Sequence, residues 1–172
     1  QGGILIDSDT SQNNIGGTQP DEGNLIANNK KSGIILKGSS NSGNSILSNE
    51  IFGNEELGID LNDDGVTLND GDDSDTGVNN LQNYPIITQV TSSGSDSTIT
   101  GTLNSTPNTA FRLEFFSNTT PIPAGSSIQG ESFLTSQTVT TDGSGQGIFS
   151  VIVPTVLNIY QVTATATNNT TQ

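Results

Sequence analysis

Gly3-Ile4-Leu5-Ile6, Gly33-Ile34-Ile35-Leu36 and Gly58-Ile59-Asp60-Leu61 are three copies of one phrase, a glycine followed by a short aliphatic run. The copies begin at positions 3, 33 and 58. A second phrase sets aliphatics between asparagines. It occurs at Asn24-Leu25-Ile26-Ala27-Asn28, at Asn44-Ser45-Ile46-Leu47-Ser48-Asn49 and, in looser form, at Glu50-Ile51-Phe52-Gly53-Asn54. Asn24 and Asn44 set its apparent period. Repeats of roughly 20–30 residues built on very short apolar runs indicate stacked units that cannot each bury a core alone. The runs are too short for long sandwich strands and too β-branched for helices. The expected structure is a short parallel β-helix, with Ile, Leu and Val pointing inward. Gly and Asn stand at the bends, where positive φ is tolerated. Asn side chains are expected to hydrogen-bond along the stack. Asn14-Ile15-Gly16-Gly17-Thr18 follows the same style.

The grammar changes near Tyr84. Residues 1–83 contain 14 Asn and 4 Thr; residues 84–172 contain 6 Asn and 19 Thr. The first segment carries 14 acidic and 3 basic residues, the second 4 and 1. Composition and charge shifting together argue for a boundary between Asn83 and Pro85. Beyond it, apolar residues alternate. Phe111, Leu113 and Phe115 share one face and Arg112 and Glu114 the other. Ile99–Leu103, Phe149–Val153 and Tyr160–Ala166 behave alike. Turn signals lie at Ser93-Gly94-Ser95-Asp96, Pro107-Asn108, Pro121 to Gly125 and Asp142-Gly143-Ser144-Gly145. Six or seven short alternating strands predict an antiparallel β-sandwich of immunoglobulin-like architecture, without the Cys pair and Trp of true immunoglobulin domains. The expected fold is thus all-β: a right-handed parallel β-helix over 1–83, ending in an acidic loop at 60–80, then a sandwich over 84–172.

One acidic stretch carries the main site candidate. Asp60, Asp63, Asp64, Asp70, Asp72, Asp73 and Asp75 place seven carboxylates in one short segment, and Asn62 and Asn69 add carbonyl oxygens. Like charges at that density repel. Calcium resolves the repulsion, because it takes six to eight oxygen ligands arranged around a tight turn. Asp60, Asn62 and Asp64 with Gly65 match positions 1, 3, 5 and 6 of an EF-hand-type loop. Position 12 is Gly71 where a bidentate Glu is expected, so closing ligands have to come from Asp70, Asp72, Asp73 or Asp75. The competing reading is a solvated acidic connector.

Gly53-Asn54-Glu55-Glu56-Leu57-Gly58-Ile59-Asp60-Leu61 and the acidic run after it lead to Leu81-Gln82-Asn83-Tyr84-Pro85. This stretch resembles the end of the right-handed parallel β-helix repeat proteins of bacterial surfaces. Gly101 to Asn118 and Val162 to Asn168 are similar to the sandwich that follows in that family. The resemblance implies a solenoid end, a linker and a small β-sandwich, and says little of function.

The 172 residues carry 4 Lys and Arg against 18 Asp and Glu, a net charge of −14. Phosphate neutralisation needs cations, so nucleic-acid binding is not expected. No apolar run reaches the ~20 residues of a membrane span. With no Cys and no His, disulfides, thiolate metal sites and His-based triads are excluded. Hydrophobic residues are 29%, below the ~45–50% typical of globular domains with Gly counted. Scarce Lys and Arg with abundant Thr, Asn and Ser suit a secreted bacterial or archaeal surface protein.

The expected role is extracellular and structural or adhesive, as a stalk, adhesin or filament component stiffened by calcium. No catalytic residues are assigned. Two alternatives stay open. A polysaccharide-processing enzyme would draw on Asp7, Asp9, Asp21, Glu22, Glu50, Glu55 and Glu56, with Lys30, Lys31 or Lys37 as base. A carbohydrate-binding module would need a glycan-facing platform. Lys30-Lys31 and Asp7-Ser8-Asp9 read as exposed turns. Gly16-Gly17 and Gly38 to Gly43 read as bends rather than phosphate loops. Asn104, Asn118, Asn168 and Asn169 lie in glycosylation sequons. Gln1-Gly2-Gly3-Ile4 begins inside a repeat without a cap. Expected partners are therefore further rungs upstream or neighbouring copies stacked head to tail. Residues 168–172 read as a frayed tail.

Overall fold

The computed structural model describes residues 2–8, 10–39, 41–119 and 129–169. Gln1, Asp9, the turn expected at Pro121 to Gly125 and residues 170–172 lie outside the described residues. The protein is all-β, and no helix among the described residues is long and apolar enough to cross a membrane.

Seven three-residue strands come first: β1 (Ile4–Ile6), β2 (Asn14–Gly16), β3 (Leu25–Ala27), β4 (Ile34–Leu36), β5 (Ser45–Leu47), β6 (Glu50–Phe52) and β7 (Ile59–Leu61). They pair in parallel as β1-β4-β7, β2-β5 and β3-β6. Ile4 sits beside Ile34 and Ile34 beside Ile59, so the Gly-aliphatic phrases stack at the spacings read from the sequence. Their inward side chains form one core. Ile6, Ile15, Ile26, Ile34, Leu36, Ile51 and Val78 are buried in it. The asparagine phrase is corrected. β5 pairs with β2, which puts Ile46 beside Ile15, and β3 pairs with β6, which puts Ile26 beside Ile51. The interval from Asn24 to Asn44 joins two different columns that happen to read alike.

The bends stack as regularly as the strands. Gln12 and Gly43 both have positive φ (60° and 67°), as do Asn28 and Gly53 (59° and 64°). In each case the next residue is an asparagine whose side chain reaches the adjacent layer. Asn44 Oδ1 accepts from the backbone N–H and Nδ2 of Asn13, at 3.0 and 2.8 Å. Asn49 does the same for Asn24, and Asn54 for Asn29. A left-handed residue turns the chain, and the asparagine after it satisfies the amide that the turn leaves open.

Six longer strands follow: β8 (Ile86–Ser93), β9 (Asp96–Asn104), β10 (Ala110–Ser117), β11 (Ser132–Thr140), β12 (Gln146–Val153) and β13 (Val162–Asn168). They form two antiparallel sheets, β12-β9-β8 and β11-β10-β13. The sheets share a core of Ile99, Leu103, Phe149 and Val153 from one and Phe111, Leu113, Phe115, Val139 and Val162 from the other. Phe115 and Phe149 meet across it with ring centroids 5.2 Å apart. β8 and β11 alternate only weakly and were not evident as runs. Tyr160 and Gln161 belong to a short 3-10 turn before β13 rather than to the strand.

The last parallel layer docks on the outward face of the β11-β10-β13 sheet. The N–H of Ile51 bonds to the carbonyl of Gly130 at 2.7 Å. Gln129 Oε1 takes the place of the next asparagine, accepting from Asn54 N and Nδ2 at 3.1 and 2.9 Å. Glu114, buried on β10, accepts from Ser48 N–H at 2.7 Å. Asn79 continues the Asn13–Asn44 ladder, accepting from Asn44 N and Nδ2.

Candidate functional site

The acidic stretch lies where the two halves join, and its carboxylates fall into separate settings. Asp60 sits on β7 and is buried. It accepts from Ser32 Oγ at 3.2 Å and from Gly65 N–H at 3.4 Å. Asp63 is paired with Lys37 at 2.6 Å and Lys31 at 3.6 Å. Its carboxyl is held below the ordinary value, chiefly by the Lys37 hydrogen bond. Asn62 donates to Asp64 Oδ2 at 2.9 Å. Asn69 exchanges two hydrogen bonds with the backbone of Tyr84, at 2.8 and 2.9 Å. Asp72 is exposed, and its N–H donates to Asn104 Oδ1 at 2.8 Å.

Asp70, Asp73 and Asp75 come together, with one carboxylate oxygen from each lying within 4.8 Å of the others. Local bonding explains the grouping. Asp70 Oδ2 accepts from Ser74 Oγ at 2.7 Å, which curls the loop. Asp73 Oδ1 accepts from the Asn83 N–H at 2.7 Å and Oδ2 from Ser105 Oγ at 3.0 Å. Asp75 Oδ1 is buried without a hydrogen-bond partner. Burial, with Asp70 adding to it, pushes Asp73 above its ordinary value, against the pull of the Asn83 and Ser105 bonds. Burial and the charges of Asp70 and Asp73 push Asp75 up. Three hard oxygen donors at this separation suit a divalent cation that prefers carboxylates.

Asn83 organises the junction and was read only as part of a linker. It is buried. Its Oδ1 accepts from Asp70 N–H, and its Nδ2 donates to the carbonyls of Asp70 and Asn104, both at 2.9 Å. Asn104, picked out as a sequon, is thus a junction residue. Asn118 Oδ1 accepts from Glu131 N–H at 3.3 Å, while its Nδ2 is buried without a partner. Asn168 and Asn169 lie at the end of β13 and just beyond it. The lysines proposed as bases are engaged, Lys30 with Glu55 and the other two with Asp63. The chain matches no protein-family model.

The raised pair gives a pH dependence of known sign. A carboxyl whose pKa is higher in the folded than in the unfolded state stabilises at low pH, and that contribution is lost as pH rises through the folded value. With a chelator present, Asp75→Asn is expected to unfold at a higher temperature than the parent at pH 7. The difference should vanish below the ordinary carboxylate range. Thermal scans from pH 3 to pH 8 measure it. A pH-independent difference, or one of opposite sign, rejects the assignment.

Proposed function

We propose that this chain is a mechanical element of an extracellular surface protein, a stalk or adhesive spacer. In this reading the first half is a short right-handed parallel β-helix and the second an immunoglobulin-like β-sandwich. Calcium held by Asp70, Asp73 and Asp75 stiffens the joint between them. One observation carries it: hydrogen bonding runs unbroken from the first layer into the second half. Asn29 bonds to Asn54 and Asn54 to Gln129. At the acidic loop, Asp73 bonds to Asn83 and Ser105, and Asn83 to Asn104. Such continuity resists bending and shear, and a cation at the acidic loop would offset the repulsion among Asp70, Asp73 and Asp75. The outer edges of β1, β2 and β3 each have a single paired neighbour. At the opposite end, Gln129, Gly130, Glu114 and Asn79 cover the β5 and β6 side of the stack, while β7 also has a single paired neighbour. The partner we place on the free edge of β1, β2 and β3 is a further rung of the same protein or a neighbouring copy stacked head to tail.

Thermal unfolding with calcium, with magnesium and with chelator tests the reading. A ligand at a hundredfold excess over its Kd adds about 2.7 kcal/mol. For a chain of this size that is roughly 5–11 °C. Calcium should give a saturating rise in Tm, magnesium a smaller one, and Asp73→Asn should abolish the response. The same Tm in calcium and in chelator, or an unaltered response in Asp73→Asn, would reduce the loop to a solvated connector.

A further inference from the structure

The two halves do not close completely on one another. Between the last parallel layer and the outward face of the β11-β10-β13 sheet lies a half-open cavity of about 690 Å³. Small-molecule sites span ~300–1,000 Å³ and often form between packed units. The cavity walls are largely apolar, with Ile46, Ile59 and Leu61 on one side and Phe116 on the other. Val66, Tyr84, Ile86 and Ile159 also line it, and all four are exposed. Exposed apolar surface continuous with an apolar cavity is a mark of binding, whereas single scattered hydrophobics are not.

The polar groups narrow the ligand class. Among the described lining residues there is no Lys or Arg, and Asp73 is the one carboxylate. With a net charge of −14 on the chain, an anionic ligand would meet only repulsion. Asp73 is the carboxylate assigned with Asp70 and Asp75 to calcium, so it is not left over for a cationic ligand in the cavity. On β13, Ala164 and Ala166 pack into the inner core, so Thr165 between them faces the cavity. It stands opposite Glu114, which bonds to the first half. Thr165 Oγ1 is buried with no hydrogen-bond partner. That oxygen is closed even to a water-sized group, so Thr165 borders the cavity with the rest of its side chain.

We propose that this cavity binds an uncharged, mainly apolar small molecule. The apolar body lies against Ile46, Ile59, Leu61 and Phe116, and the exposed rim covers it.

The test uses the full chain and Nile red, an uncharged dye whose emission shifts to the blue in apolar sites. Saturable one-to-one binding is expected, displaced by 1-decanol and far less by decanoate. Val66→Asp, at an exposed rim position, should weaken dye binding about tenfold by placing a charge against the apolar ligand. Ile148→Ser, at an exposed site outside the cavity, should change nothing. Non-saturable binding, equal losses in Ile148→Ser and Val66→Asp, decanoate matching 1-decanol, or a dimer in light scattering that excludes the dye would each overturn the proposal.

Discussion

Asn54→Leu is expected to lower the unfolding free energy by about 4 kcal/mol, although leucine fills nearly the same volume. Asn54 is buried, and its side chain makes four hydrogen bonds. Oδ1 accepts from Asn29 N and Nδ2 at 3.1 and 2.8 Å. Nδ2 donates to the Ile26 carbonyl at 3.2 Å and to Gln129 Oε1 at 2.9 Å. Leucine removes all four and strands their partners, including a backbone amide at a left-handed turn. Each buried group left unsatisfied costs ~1–3 kcal/mol, partly relieved where water can enter. Lys30→Ala is the control. Its ion pair with Glu55 joins two exposed side chains, and such pairs contribute ~0–1 kcal/mol. Urea unfolding of both variants decides the matter. A loss below ~1 kcal/mol for Asn54→Leu, the size of one ordinary hydrogen bond, would mean that strand pairing and the aliphatic core hold the stack without the ladder.

That ladder also shows which parts of the structure the sequence made legible. The Gly-aliphatic columns could be read because Ile4, Ile34 and Ile59 repeat in type and spacing, and they do stack. The asparagine columns misled. An Asn just past a bend does the same job in each column, so Asn24 and Asn44 look equivalent although their partners are Asn49 and Asn13. Only the lengths of the intervening turns distinguish the columns, and composition carries no trace of that.

The acidic run posed a similar difficulty. Seven carboxylates could be counted, but not those already engaged, because Ser32, Lys31 and Lys37 belong to the layer before Asp60 and Asp63 and are distant from them in sequence. The carboxylates brought together, Asp70, Asp73 and Asp75, are a smaller group than the sequence suggested. The period of two in β10 correctly placed Arg112 and Glu114 opposite Phe111, Leu113 and Phe115. It could not tell that the outer face meets another part of the chain instead of water.

Glu114 therefore supplies the second large expected effect. It is 1% exposed, and its carboxylate accepts from Arg112 Nε at 2.8 Å, from Ser48 N–H at 2.7 Å and from Ser48 Oγ at 3.2 Å. Glu114→Ala leaves a guanidinium with little access to water and an amide at a bend where Ser48 has φ of 55°. Removing one member of a buried ion pair costs about 3–5 kcal/mol. Glu114→Gln keeps an acceptor for Ser48 but not the charge opposite Arg112, so a loss of ~1–2 kcal/mol is expected. The form of the loss is as informative as its size. Each half has its own hydrophobic core. Glu114 belongs to the contact that lets them unfold together, so its removal should split one calorimetric transition into two. Hydrogen exchange at Ser48 should rise at the same time, because its amide loses its acceptor. A single transition, shifted by less than ~1 kcal/mol where a broken buried pair should cost several, would place the coupling elsewhere. The Asn83 network at the acidic junction would then be the element that joins the halves.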